Sequence, residues 1–206
     1  NKLRLITGYF REVPDPNRGY ALAALTGALS FKHAKAGLIR DLIASRTDPV
    51  LFELSYNYVG DLSETVALMW PKSPEIAHNN PPPPTLTEVV TTLRTLGKAE
   101  LPAQLTRWLD ELDETGRWAL LKLVTGAMRI GVSARLAKTA AAALGDKDPH
   151  DVELIWPGLA SPYGELFAWL EGRAEKPVNR DPAPFRPVML AHAIEDSDFQ
   201  NLDPAD

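Results

Sequence analysis

Residues 115–145 read TGRWALLKLVTGAMRIGVSARLAKTAAAALG, and the reading of this stretch decides the fold class. It carries five cations, Arg117, Lys122, Arg129, Arg135 and Lys138, and no acid, in a chain whose formal net charge is −5. Leu120, Leu121, Val124 and Met128 recur at the spacing of one helix face, so the first half predicts an amphipathic helix. Lys122 and Arg129 lie seven residues apart and would share a stripe beside the apolar one. The helix is expected to stop near Ile130 and Gly131, because glycine accepts the left-handed conformation that closes helices. Ser133 then caps a second helix, with Leu136, Ala140 and Leu144 facing inward and Arg135 and Lys138 one turn apart. A helix N-terminus with free backbone N–H groups and flanking cations suits a phosphate. The plainer reading is two core helices joined by a glycine turn, with a solvated basic face. The stretch alone leaves both open. Residues 126–133 come near to a Walker A loop, but Val132 stands where that loop needs lysine and no strand precedes it.

Composition narrows the classes. A chain of 206 residues, 45% hydrophobic and 24% charged, has enough apolar material for one sizeable core. There is no cysteine, which excludes disulfides and thiolate metal sites, and His33, His78, His150 and His192 are too scattered for a ligand set. No apolar run approaches the length of a membrane span and no signal peptide is visible, so a cytoplasmic, monomeric protein without membrane association is expected. The acidic balance argues against nonspecific nucleic-acid binding over the whole surface, and any DNA contact would be confined to one face. The chain begins on Asn1 and reads as a piece of a longer protein.

The remaining sequence predicts helices throughout. One is expected over residues 2–11, ending before Pro14, and a nearly continuous apolar one over 20–29, central to the core. Another spans 38–44. Asp48-Pro49 starts a helix that passes Phe52 and Tyr56 and stops at Gly60. Asp61 caps the next, over 62–70, with Glu64 completing a capping box. Residues 71–84 end in four prolines, Pro81 to Pro84, an extended segment that divides the chain into two helical halves. Helices follow over 88–96, 101–112, the central stretch, 149–156 from Asp148-Pro149, and 163–170 after Ser161-Pro162. The five tryptophans sit among leucines or beside helix-ending prolines and are expected in the core, and Glu111, Asp113 and Glu114 read as a solvated helix end. Prolines at 177, 182, 184 and 187 forbid a further helix, so 1–175 is expected as an all-α domain and 176–206 as a non-helical linker.

Four blocks carry a resemblance. They are Val59-Gly60-Asp61-Leu62 with Val66-Ala67, the PPPPTLT of residues 81–87, the GAMRIG of 126–131 and the RPVMLAH of 186–192. With these the chain resembles the N-terminal DNA-binding domain of ATP-dependent DNA ligases, and the LSETVA of 62–67 is similar to the bacterial branch. The resemblance implies a compact helical domain, with an internal pseudo-two-fold, that grips nicked duplex DNA across the minor groove, mainly through phosphates. By position, Arg129 and Gly131 match the family's Arg-Ile-Gly turn. Gly126, Ser133, Arg135, Lys138, Lys122 and Gly60 complete the expected DNA-binding set. Family members often carry lysine where this chain has Ala127, so one cation is missing. The last block resembles the entrance to an adenylation domain, and an OB-fold domain would follow in the parent, which would use ATP and Mg2+.

No lysine here is followed by the x-Asp-Gly of the family's adenylated Lys-x-Asp-Gly motif, and Lys147-Asp148-Pro149 is the nearest approach. The segment is therefore expected to lack catalytic residues and any cofactor or metal of its own. The parent's role would lie in DNA replication, repair or recombination at the bacterial nucleoid. Two alternatives compete. A helical protein-interaction scaffold would suit the acidity but lacks the 34- to 47-residue period of helical solenoids. A free-standing helical enzyme lacks G-x-S-x-G, H-E-x-x-H and any acid pair with a histidine.

Overall fold

The structure, a computed structural model, describes residues 1–71, 82–126, 128 and 130–179. Among these there are eleven α-helices and no strand. They are α1 (Lys2–Glu12), α2 (Asn17–Leu25), α3 (Ala36–Ala44), α4 (Pro49–Val59), α5 (Leu62–Met69), α6 (Leu86–Thr95), α7 (Leu101–Glu111), α8 (Glu114–Thr125), α9 (Ala134–Leu144), α10 (Pro149–Ile155) and α11 (Gly164–Leu170). A single 3-10 turn, Trp156–Gly158, follows α10. The all-α class is as the periodicity predicts. No described helix is long and apolar enough to cross a membrane. The expected non-helical linker from 176 and the RPVMLAH block fall almost wholly outside the described residues, as do His78 and Pro81.

Most helix starts are written locally. Asp48 accepts a hydrogen bond from the Leu51 N–H at 2.9 Å with Pro49 in the first turn, and Asp61 accepts from Glu64 at 3.0 Å. Thr85 does the same for α6 and Asp148 for α10. Each side chain satisfies one of the N–H groups that a helix start leaves without a partner. Asp113 is a cap too, accepting from Gly116 at 2.7 Å, rather than a solvated helix end. The predicted length of α2 is corrected: it stops at Leu25, not at 29. Thr26 bonds back to the Leu22 carbonyl, Gly27 adopts φ +73°, and the Ala28 N–H closes onto Ala23 at 2.8 Å. That six-to-one closure ends a helix however apolar the next residues are.

The helices close around α9. Ala137, Ala140, Ala141 and Ala142 are all fully buried, and α1, α2, α10 and α11 pack on this helix. Small side chains let backbones approach, and Thr7 of α1 uses the closeness to donate to the Ala140 carbonyl at 3.0 Å. The rest of the core belongs to larger groups: Trp108, Phe10, Phe167, Leu22, Ile39 and Leu121, each of them fully or almost fully buried. Each such side chain contributes about 1.5–3 kcal/mol by leaving water. The helices before the proline segment interlock with those after it, since α1 and α2 pack on α9, α2 on α6, α3 on α7 and α8, and α5 on α8.

Two glycines set where α11 lies. A Cβ at Gly19 would fall 1.6 Å from the Pro162 carbonyl oxygen, and one at Gly145 would fall 1.7 Å from the Leu170 carbonyl oxygen. Backbone crosses both positions at contact distance. Near the same end, the buried guanidinium of Arg18 bonds to Asp15, Glu171 and the Phe10 carbonyl and lies 4.4 Å over the Phe167 ring. Hydrogen bonds from Arg18, and then from Arg173, outweigh burial and hold the Glu171 carboxyl down at about 2.

Gly19→Ala is expected to lower unfolding free energy by at least about 2 kcal/mol, since backbone cannot yield as a side chain can. Gly8→Ala in α1, whose Cβ would meet nothing within 4 Å, should instead add about 0.5–1 kcal/mol. Urea unfolding of the pair measures both. A second expectation concerns pH. The Glu171 carboxyl is held below its ordinary 4.5, so its contribution is present above that value and drains away as pH falls toward about 2. Glu171→Gln should flatten that part of the stability profile, which thermal unfolding across a pH series reads directly.

Candidate nucleic-acid interface

The central stretch folds as two helices joined by a turn, but the turn begins earlier than periodicity suggests. α8 ends at Thr125, and Gly126, at φ +69°, is the residue that closes it. Gly131 is a second left-handed glycine at φ +70°. The mechanism expected of Gly131 thus operates five residues earlier, and the described residues 126, 128 and 130–133 lie outside any helix. α8 ends at Thr125, short of the length over which Lys122 and Arg129 were expected to share a stripe. Arg129 and Ala127 themselves lie outside the described residues.

Ser133 caps α9 as expected, its hydroxyl accepting from the Leu136 N–H at 3.1 Å. Ala140 is fully buried, whereas Leu136 and Leu144 are only half-buried, because the inward face is centred on the alanines. Arg135 stands exposed in the first turn of α9, which carries no acid. The positive end of the α9 dipole therefore faces outward with a cation beside it.

The other described cations of the stretch have partners within the protein. Arg117 is buried, with its Nε 2.5 Å from the Leu109 carbonyl and its guanidinium reaching Trp70. Burial pushes its pKa down, against the pull of Asp110, Glu114 and Asp113. It ties α7, α8 and the end of α5 together. Lys122 pairs with Asp61, and Lys138 pairs with Glu153 of α10 while lying 5.0 Å over the Trp156 ring. Burial alone would raise the Asp61 carboxyl, but hydrogen bonds from Lys122 and the Glu64 N–H outweigh it and hold it below its usual value. Among the described cations of the stretch, only Arg135 has neither a carboxylate nor a carbonyl partner.

The Lys122–Asp61 pair has a geometric consequence. α5 runs antiparallel to α8, so that Asp61 meets the last turn of α8 while the Trp70 carbonyl meets Arg117 near its start. Gly60, at φ +74°, therefore sits at the same end of this helix pair as Gly126. The expected residues fall into two sets. Gly126, Gly131, Ser133 and Arg135 build one turn, with Gly60 beside it through Lys122. Lys138 lies farther along α9 on the α10 side. One residue escaped the sequence reading: Lys2 of α1 donates to the Gly131 carbonyl at 2.7 Å. Across 129 positions no spacing rule signals that contact.

Backbone N–H groups and an exposed cation in the first turn of α9 have the chemistry that suits an anion. No group of three histidines or carboxylates able to hold a metal occurs among the described residues. Ser133→Ala, which removes the cap, should cost about 1 kcal/mol, with Ser133→Asp retaining most of it, as read by denaturant unfolding. Comparison of the chain with family models, with curated proteins and with solved structures finds no match.

Proposed function

We propose that this chain is the DNA-gripping domain of a bacterial ATP-dependent DNA ligase, holding nicked duplex DNA by its phosphates while catalytic domains of the same parent seal the break. The observation that carries the reading is the capped N-terminus of α9, presented at the surface after a left-handed Gly131 with Arg135 exposed in its first turn. The GAMRIG block that resembles the ligase family coincides with this turn. Helix N–H groups and an unpaired cation contact phosphate oxygens without reading bases, which suits an enzyme that must close nicks in any sequence. In this reading ATP and Mg2+ belong to the parent's adenylation and OB-fold domains, and this segment contributes position rather than chemistry.

A second reading, a helical protein-interaction module, is favoured by one observation. Leu54 and Tyr58 of α4 and Leu68 of α5 are exposed and line one groove between these helices, Tyr58 to 92%. A cluster of this kind marks a contact surface more often than a solvated one.

Fluorescence anisotropy with nicked and intact duplexes across a salt series separates the two. The DNA reading expects binding to both, with log affinity falling against log salt by about 0.9 per phosphate contact. The geometry also ranks the variants. Arg135→Glu should lose affinity strongly, as should Arg129→Glu at the family's arginine position. Lys138→Met should lose little, because that ammonium already serves Glu153. Absence of binding at low salt would favour the interaction module.

A further inference from the structure

We propose that Lys2 is a positioning residue for the DNA-binding turn: its ammonium, on the first turn of α1, fixes the Gly131 carbonyl and with it the direction in which α9 presents its N-terminus. The inference rests on the DNA-gripping reading and deepens it, by naming what holds the gripping turn in place.

Four observations converge. The Lys2 Nζ lies 2.7 Å from the Gly131 carbonyl oxygen. Gly131 adopts φ +70°, which disfavours any residue but glycine and so sets the direction of the carbonyl that Lys2 meets. The base of the lysine is itself anchored: α1 packs along α9, and buried Thr7 bonds to the Ala140 carbonyl. Gly131 is two residues before the cap Ser133, so holding its carbonyl fixes the path of the chain into the first turn of α9.

Electrostatics indicates what the fixed turn faces. Lys2 and Arg135 both stand at the positive end of the α9 dipole, and the first turn of α9 supplies no acid. Cations are disfavoured at a helix N-terminus. A bound anion turns this repulsion into attraction. An ammonium with one donor committed to a carbonyl keeps two others, so Lys2 can hold the turn and add to the positive field there.

The test uses the whole chain and three variants. Lys2→Met removes donor and charge together, and Lys2→Arg keeps a cationic donor. Arg4→Met removes one charge from the same end of α1, where Arg4 reaches only Asn1 at 3.2 Å. The readouts are amide hydrogen exchange at Leu136 and Ala137, whose N–H groups bond to the Ser133 side chain and carbonyl, without DNA, and affinity for nicked duplex at low salt. Lys2→Met should speed exchange at these amides and weaken binding by about three- to tenfold, the range one net hydrogen bond carries. Arg4→Met should leave the exchange unchanged and weaken binding less, and Lys2→Arg should restore both readouts. Equal loss in Lys2→Met and Arg4→Met would reduce Lys2 to one charge among several and overturn the proposal, as would unchanged exchange in Lys2→Met. If the unsubstituted chain binds no duplex, the DNA reading has failed, and exchange alone then decides whether Lys2 holds the turn.

Discussion

The close approach of four helices to α9 is the constraint on which the rest of the structure depends. Its buried face is alanine at 137, 140, 141 and 142, so neighbouring backbones come near enough for Thr7 to reach a main-chain carbonyl. Gly145, just past its end, admits the Leu170 carbonyl, and Gly19 on α2 admits that of Pro162. A helix gripped this way cannot shift without disturbing four partners, because protein interiors are packed without slack. The N-terminus of α9, with Ser133 and Arg135, is thereby held at the surface on a rigid support, which the proposed anion site would need.

Around that centre the protein spends its positive charge on internal ties. Arg18 joins the end of α1, the start of α2 and the end of α11, and Arg117 joins α5, α7 and α8. Lys122 and Lys138 each meet one carboxylate across a helix pair. A buried or half-buried cation needs such partners, since leaving it without any would cost the full desolvation of the charge. Among the described cations of the central stretch, Arg135 is left without such a partner. An acidic protein can present a local cationic face in this way without a basic surface overall.

The edge formed by α4 and α5 has a different character. Its exposed leucines and Tyr58 lie apart from the α9 turn in sequence, yet the Lys122–Asp61 pair couples the start of α5 to the end of α8. Two surfaces with different chemistry are thus linked through a single helix pair.

The sequence by itself determined the class and most of the helix boundaries. Caps such as Asp48, Asp61 and Ser133, and the stop at Gly60, are local devices whose partners lie within four residues. Where the reading missed, as at Leu25 and Thr125, the apolar period ran on past a glycine that closed the helix, because periodicity reports burial and not backbone closure. The set of residues forming the turn was legible for the same local reason. Which of its cations are free was not. Lys122, Lys138 and Arg117 look alike to Arg135 in sequence, and only tertiary packing brings Asp61, Glu153 and the Leu109 carbonyl to the first three. The reach of Lys2 to Gly131 was decided at the same level, because α1 and the turn are neighbours only after α1 has packed on α9.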